Sequence, residues 1–550
     1  MTHFPIPPKS MNRRGAGESD AASASGSRKP DVGIPRGLRH LSSTFAPGLI
    51  EPMLPPMREL RLELARTALK RRRTRIVATL GPASSSDEVI EKLINAGVDV
   101  FRLNFSHGVH EGHGQNIERI RRIADRLGRH TAILGDLCGP KIRVGTFEGG
   151  GIDLVSGATL TVTTRNVAGT AMLVPSQYAE LAQDISVGDR ILLDDGKLEM
   201  KVLATDKKTE VQVQVVQGGR LKDKKGMNLP GVAVSTPAVT EKDKVDALFA
   251  ASHGVDFLAL SFVRDAKDVG VLREYLQLNG HGSMPLIAKI ELPQAIDNIE
   301  GIFDVVEGIM VARGDLGVEM LPEEVPLIQN ELVRLAVLKN KPVIVATQML
   351  ESMIESSRPT RAEVTDVAAA ALSRADAVML SAETASGKFP VEAVATMDRV
   401  LRVVEGYQWK HGQHGRLVDE PLSEGMGAHA NDPSEALSRA ASLLSRDLQV
   451  RAVVVPTRTG RTARLVSAER PAAPVVAITD DPVLARRLSL CWGLVAAVAT
   501  EAELLAPQEA ALAAVRSFEL ASANDPVLLV WDSSRGAGSR VELTVSILHA

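Results

Sequence analysis

The stretch LIAKIELPQ, residues 286–294, places Lys289 and Glu291 two apart in an apolar run that reads as a strand, so both side chains leave the same face. In MVARGDLGVE, residues 310–319, Asp315 sits in a glycine-flanked turn after the next apolar run. Two carboxylates from neighbouring strand ends can converge on one hard cation. Mg2+ (or Mn2+) takes few carboxylates and fills its shell with water and substrate oxygens. Either acid taken alone reads equally well as a rim residue. A third stretch, GDLCGPKIRVG, residues 135–145, puts Asp136 directly after Ile133-Leu134-Gly135, with Lys141 five residues on and Arg143 beyond it. A lysine on that rim needs a reason. Further along, TRTGRTA (457–463) sets hydroxyls and a glycine at the opening of a helix, a phosphate-nest pattern built from Thr457, Thr459, Gly460, Arg461 and Thr462.

The elements that must hold these residues follow a rhythm from residue 74 onward. Short apolar runs end in polar or glycine-rich residues, and helical stretches follow. The runs are Arg75–Leu80, Val98–Leu103, Thr131–Leu134, Phe257–Leu260, Leu286–Ile290, Gly308–Ala312, Pro342–Ala346 and Ala377–Leu380. Ser86 is placed to cap DEVIEKLINA, with Gly97 as its stop. Pro359 or Thr360 opens RAEVTDVAAAALSRA. Eight strand–helix units in order predict an α/β fold, a (β/α)8 TIM barrel whose chemistry sits at the strand C-termini. Between 141 and 236 the pattern turns strand-rich, punctuated by Asp195-Gly196 and Gly218-Gly219, which predicts an inserted β-barrel lid domain.

The expected organisation is therefore a disordered basic extension over 1–56, a helix over 57–73, the barrel over 74–140 and 237–405, and the β lid over 141–236. A linker over 406–431 and a C-terminal α/β regulatory domain over 432–550 complete it, with Asp432 capping the first helix of that domain. The first 73 residues hold 14 Lys/Arg against 6 Asp/Glu, so they net +8 and the remainder nets −11 within a total of −3. Glu18, Asp20, Asp31 and Glu51 weigh against a transit peptide. Aromatics make up 3% and the net charge is slightly negative, which argues against a nucleic-acid partner. Two cysteines, Cys138 and Cys491, support neither a disulfide framework nor a zinc ribbon. No apolar run reaches membrane-spanning length. A cytoplasmic enzyme acting on small molecules is the expectation.

Read together, TRIVATLGPAS, FRLNFSHG, GDLCGPKIR, KKGMNLPG, KIE, ARGDLG, ATQMLESMI, PTRAEVTDVA and MLSAETASG resemble the pyruvate kinases. They follow the family's order over roughly 74–400. The resemblance implies phosphoryl transfer from phosphoenolpyruvate to ADP, giving pyruvate and ATP. It implies Glu291 and Asp315 as ligands of Mg2+ (or Mn2+), and Lys289 and Arg102 at the transferring group. Gly314, Asp315 and Thr347 would take the substrate carboxylate. Thr347 and Ser381 would organise the water that protonates the enolate. Pro82, Asn104, His107, Arg143 and Lys225 would hold the nucleotide, Arg143 and Lys225 flanking the inserted domain at its two crossings. Family members that bind K+ use the equivalents of Asn104, Ser106, Asp136 and the Leu137 carbonyl, and carry glutamate where this chain has Lys141. Lysine there accompanies potassium-independent activity, so K+ is expected to be dispensable. Residues 457–462 resemble the family's site for a phosphorylated effector, with DSSRGAGS (532–539) as a counterpart loop. A homo-oligomer, a tetramer, is implied. Ala382, Ala369, Cys138 and Phe101 depart from the family's usual residues. The alternatives are another magnesium-dependent barrel enzyme and a non-catalytic regulatory paralogue.

Overall fold

The computed structural model describes residues 72–413, 415, 433–532 and 543–550. Residues 1–56, all but 72 and 73 of the expected N-terminal helix, most of the 406–431 linker, Asp432 and nearly all of DSSRGAGS lie outside them.

Eight parallel strands close into a barrel: β1 (Arg75–Thr79), β2 (Val100–Asn104), β3 (Ala132–Asp136), β4 (Phe257–Leu260), β5 (Leu286–Ile290), β6 (Gly308–Ala312), β7 (Val343–Ala346) and β8 (Ala377–Leu380). Each pairs with its sequence neighbour, and β1 pairs with β8 to close the ring. The strand alternation divides the core in two. Val77, Val100, Leu134, Ile287, Met310, Ile344 and Met379 fill the interior. Ile76, Phe101, Ile133, Ile290, Val311 and Val345 face the surrounding helices. The apolar runs thus carry two buried faces, as a parallel sheet covered on both sides requires.

The helix ends follow their local chemistry. Ser86 accepts from Val89 N, and Gly97 stops that helix at φ 117°. Thr240 and Thr360 each close a capping box, with Asp243 and Glu363. Thr360, rather than Pro359, is the cap.

The inserted segment forms a six-stranded and a two-stranded sheet around its own apolar cluster. Its two crossings to the barrel are paired: Val144 N donates to Lys225 O (2.9 Å) and Met227 N to Ile142 O (3.0 Å). A helix over Pro390–Lys410 leaves the barrel and continues past residue 406, so the first residues of the expected linker are helical. The C-terminal sheet has five strands, four parallel and the last, Leu543–His549, antiparallel. That domain packs on the N-terminal end of the barrel. Leu490 joins the barrel's interior cluster, Arg75 Nε donates to Cys491 O (2.9 Å), and Arg470 forks onto Asp376 with both bonds at 3.0 Å. No described helix is long and apolar enough to cross a membrane.

Candidate active site

The C-terminal ends of the barrel strands gather the charged residues singled out above. Arg102, on β2, donates Nε to Asp136 Oδ2 (2.6 Å) and Nη1 to Thr79 Oγ1 (3.0 Å). Asp136 ends β3 and is 1% exposed. Lys289, on β5, donates to Ser261 Oγ (2.8 Å) and lies 2.7 Å from Glu291 Oε1 and 3.5 Å from Asp136 Oδ1. The inward alternation Ile287, Lys289, Glu291 continues the interior face of β5 up to the mouth. Glu291 accepts the Phe262 N–H on Oε2 (2.8 Å).

The electrostatics are tightly balanced. Burial works against an ionised Asp136, but Lys289 and Arg102 outweigh it and hold the carboxyl below its usual range. Burial works against Lys289 too. Asp136 and Glu291 reverse that and hold the ammonium above its usual value. Glu291 goes the other way: burial raises its pKa, Lys289 opposes, and the facing Asp315 carboxylate pushes it further up. Its Oε1 and Asp136 Oδ1 are buried acceptors without a donor; the 2.7 Å approach of Lys289 to Glu291 Oε1 is off the line a hydrogen bond needs.

Asp315 sits in a short helix, Arg313–Glu319, which opens at the end of β6. Gly314 N donates to Thr347 Oγ1 (2.8 Å), and that hydroxyl donates to Ala346 O (2.6 Å). The Gly314 N–H is thus already engaged by the hydroxyl expected to share a substrate carboxylate with it. Thr347 and Gln348 hold φ of 68° and 56°, and Phe262 holds 54°. Left-handed backbone at non-glycine residues costs on the order of 1–3 kcal/mol each and concentrates where a site is held in place. Ser381 follows β8, and its N–H donates to Glu383 Oε2 (2.7 Å).

The two expected metal ligands meet a simple test. They offer oxygen donors only, one acceptor is buried and lacks a donor, and the two carboxylates raise each other's energy in a way a dication would relieve. No group of three or more His, Cys, Asp or Glu gathers as a metal cage among the described residues. A two-carboxylate site leaving most positions to water and substrate fits Mg2+.

Around the nucleotide candidates, burial and the cations Arg143, Arg102 and Lys141 hold His107 below its ordinary pKa, which places all three within electrostatic reach of it. Arg143 Nη1 donates to Lys224 O (3.0 Å) across the paired crossings. Lys225 is taken by Asp194 of the inserted domain (2.7 Å). Pro82 is exposed, beside an open groove that includes Ser85, Arg119 and Arg122. Lys141 Nζ lies 3.7 Å from Asp315 Oδ1. In the expected monovalent-cation pocket, Asn104 Oδ1 accepts Ser106 N (3.0 Å) and the Leu137 carbonyl accepts Ser261 Oγ (2.8 Å). At the other end of the chain, Gly460 caps a helix over Arg461–Ala468 at φ 74°, and its N–H donates to Thr457 Oγ1 (2.9 Å). Arg461 N approaches Thr459 Oγ1 at 3.4 Å, and Thr462 lies in the first turn.

Thr79, Ser261 and the Phe262 N–H escaped the sequence reading, as did Arg313, which donates to Thr347 O (2.6 Å) and pairs with Asp366 (2.6 Å). Each lies next to a residue that was read, at a strand end, and position at a strand end was the available signal. Of the departures from the family pattern, Phe101 is fully buried between barrel and helices, and Ala382 opens a four-residue helix.

Comparison with known proteins bears on this geometry. Family models described as "Pyruvate kinase, barrel domain" and "Pyruvate kinase, alpha/beta domain" match residues 71–394 and 435–543. The chain is 45% identical over 426 residues to a pyruvate kinase of Geobacillus stearothermophilus, covering 77% of this chain and 71% of that one. It is 46% identical to pyruvate kinase 2 of a Synechocystis strain, covering 77% and 70%. A crystal structure of a pyruvate kinase from Cryptosporidium parvum superposes with a TM-score of 0.79 at 34% identity, covering 90% of this chain and all of the other. With the barrel model and the alpha/beta model of one family matched in turn along most of its length, and relatives at 45% identity, the chain belongs to the pyruvate kinase family of phosphotransferases.

Proposed function

We propose that the chain transfers a phosphoryl group from phosphoenolpyruvate to ADP, giving pyruvate and ATP, at the barrel mouth around Lys289. The observation that carries this is the buried convergence of Arg102, Asp136, Lys289 and Glu291 in a chain of this family. Phosphoryl transfer has a loose transition state, so positioning and charge neutralisation supply most of the catalysis. Arg102 commits Nε to Asp136 and Nη1 to Thr79, which fixes its plane and leaves Nη2 for phosphoryl oxygens. Lys289, kept protonated by two carboxylates, stabilises the enolate oxygen. Glu291 and Asp315 would hold Mg2+ (or Mn2+), which when bound neutralises charge on the phosphoryl and enolate oxygens. The Gly314 and Asp315 N–H groups and the Thr347 hydroxyl take the substrate carboxylate, the hydroxyl turning its hydrogen from Ala346 O to the substrate and releasing the Gly314 N–H. Thr347 and Ser381 position the water that protonates the enolate carbon.

Asn104, His107, Arg143 and Lys225 bind the nucleotide phosphates, with Pro82 against the base. Closure of the inserted domain brings Arg143 and Lys225 over them and excludes water. Lys141 supplies the positive charge that a monovalent cation would bring beside Asn104, Ser106, Asp136 and Leu137, so K+ is dispensable. In support, Asn104 Oδ1 and the Leu137 carbonyl already have protein donors, Asp136 Oδ2 pairs with Arg102, and its remaining oxygen faces the Lys289 ammonium at 3.5 Å. Thr457, Thr459, Gly460, Arg461 and Thr462 bind a phosphorylated effector. The enzyme works in the cytoplasm as a homotetramer, a reading that rests on its family.

The test is pyruvate formation from phosphoenolpyruvate and ADP with Mg2+, in tetramethylammonium buffer free of Na+ and K+. Turnover under these conditions, lost in Lys289→Met, supports the reading. A purified, folded chain that forms no pyruvate with or without K+ overturns it.

A further inference from the structure

A second charged cluster lies at the N-terminal end of the barrel, remote from the mouth, where the C-terminal domain docks. Arg73, Arg374, Glu405, Trp409, Arg470 and Trp492 line a small, partly open cavity of about 30 Å³ there. Three guanidinium groups share it with one carboxylate, and a second, Asp376, sits behind Arg470. Both acids are already occupied. Glu405 accepts Arg73 N (2.7 Å) and Thr74 N (2.6 Å), and Asp376 is forked by Arg470.

The cations are less well served. Among the described residues, the fork of Arg73, which is 3% exposed, reaches only the Ala472 carbonyl, at 3.5 Å. Arg374 reaches the Gly415 carbonyl and pairs with no carboxylate among the described residues; its backbone holds φ 71°. Arg470 is 4% exposed, and its Nε is a buried donor with no acceptor. Burial and the neighbouring Arg470 bring Arg374 down to about 10, and burial brings Arg73 down to about 10 against the pull of Glu405. Asp376 balances Arg470 and Glu405 offsets Arg73, which leaves Arg374 as the uncompensated cation of the three, a partly buried charge that an anion would balance. The walls are aromatic, with Arg470 lying 5.2 Å from the Trp492 ring centroid.

We propose that this cavity binds a small oxyanion, inorganic phosphate or a small carboxylate, between Arg73, Arg374 and Arg470, beside Trp409 and Trp492. The ligand would touch the barrel, the Pro390–Lys410 helix and the C-terminal domain at once. The proposal stands independently of the reaction at the mouth.

The test uses the chain's own fluorophores. Of its three tryptophans, two line the cavity, and the third, Trp531, lies on the Pro526–Asp532 strand. In the full chain carrying Trp531→Phe, inorganic phosphate is titrated against chloride at matched ionic strength, with sodium acetate as a parallel arm. A saturable change in emission is expected, with affinity reduced about tenfold or more in Arg374→Gln, since a charge-assisted hydrogen bond is lost. Response to acetate but not phosphate supports the site and assigns it to carboxylates. Gln408→Glu, which places a carboxylate in the same cavity, is expected to abolish the response and raise the melting temperature. Phosphate and acetate both indistinguishable from chloride overturn the proposal. So does an unchanged titration in folded Arg374→Gln or in Gln408→Glu.

Discussion

Replacing Lys141 by methionine removes one positive charge from the mouth and little volume. Its Nζ lies 3.7 Å from Asp315 Oδ1, and the two side chains are 31% and 27% exposed. Two unit charges at that distance interact by about 1 kcal/mol in a water-like medium and about 4 kcal/mol at an effective dielectric near 20. With both groups partly hydrated the lower part of that range applies, about 1–2 kcal/mol. Taking this separation as the scale on which the ammonium offsets negative charge, the site without it holds anionic substrates less well by the same amount. That is about 5- to 30-fold in kcat/KM. Lys141→Glu reverses the sign and doubles the change, to about 2–4 kcal/mol or roughly 30- to 900-fold. The assay is pyruvate formation in tetramethylammonium buffer, repeated at matched ionic strength with K+. The parent chain should gain little from K+, and Lys141→Glu should recover most of its loss. Strong K+ activation of the parent, or Lys141→Met at full rate without K+, refutes the reasoning.

Asp376→Asn leaves the Arg470 guanidinium buried without its charge partner, at a cost of about 3–5 kcal/mol, so calorimetry should show a melting temperature lowered by several degrees. Burial pushes the Cys491 thiol up to about 11, and its side chain is buried, whereas Cys138 is partly exposed. A disulfide reagent should therefore titrate one thiol in the native chain and the second only on unfolding; two fast thiols would contradict the packing. Burial, before any other cause, holds His107, His113 and His130 below their ordinary pKa. The unfolded chain then binds more protons as pH drops below about 6.5, so the stability these residues contribute is present above that value and fades beneath it. Melting temperature should fall from pH 7 to 5.5, with a shallower slope in His113→Gln; an equal slope would remove His113 from the account.

The barrel was legible because its apolar runs have near-uniform length and end abruptly. Six of the eight strands begin and end at or within one residue of the expected bounds, and β4, β5, β6 and β8 match them. Lys289 and Glu291 were legible for the same reason, since strand alternation alone sets their common direction. What sequence reading could not supply is lateral. Nothing in GDLCGPKIR says that Asp136 turns to Arg102 and Lys289, because those residues arrive from neighbouring strands through the register of the ring. Nor does ARGDLG show that the Gly314 N–H faces Thr347 Oγ1 from the strand beside it. The arginine cavity was illegible because its members are scattered from Arg73 to Trp492 and meet only when two domains dock.

Leu490 comes from the C-terminal domain yet sits in the interior layer of the barrel with Val77, Ile287 and Met379. The catalytic portion is therefore not a detachable module. A chain ended after Lys410 would open the floor of its own hydrophobic interior and strip the carbonyl partners from Arg75, so grafting or trimming of this protein must keep the short segment around 486–494 with the barrel it plugs.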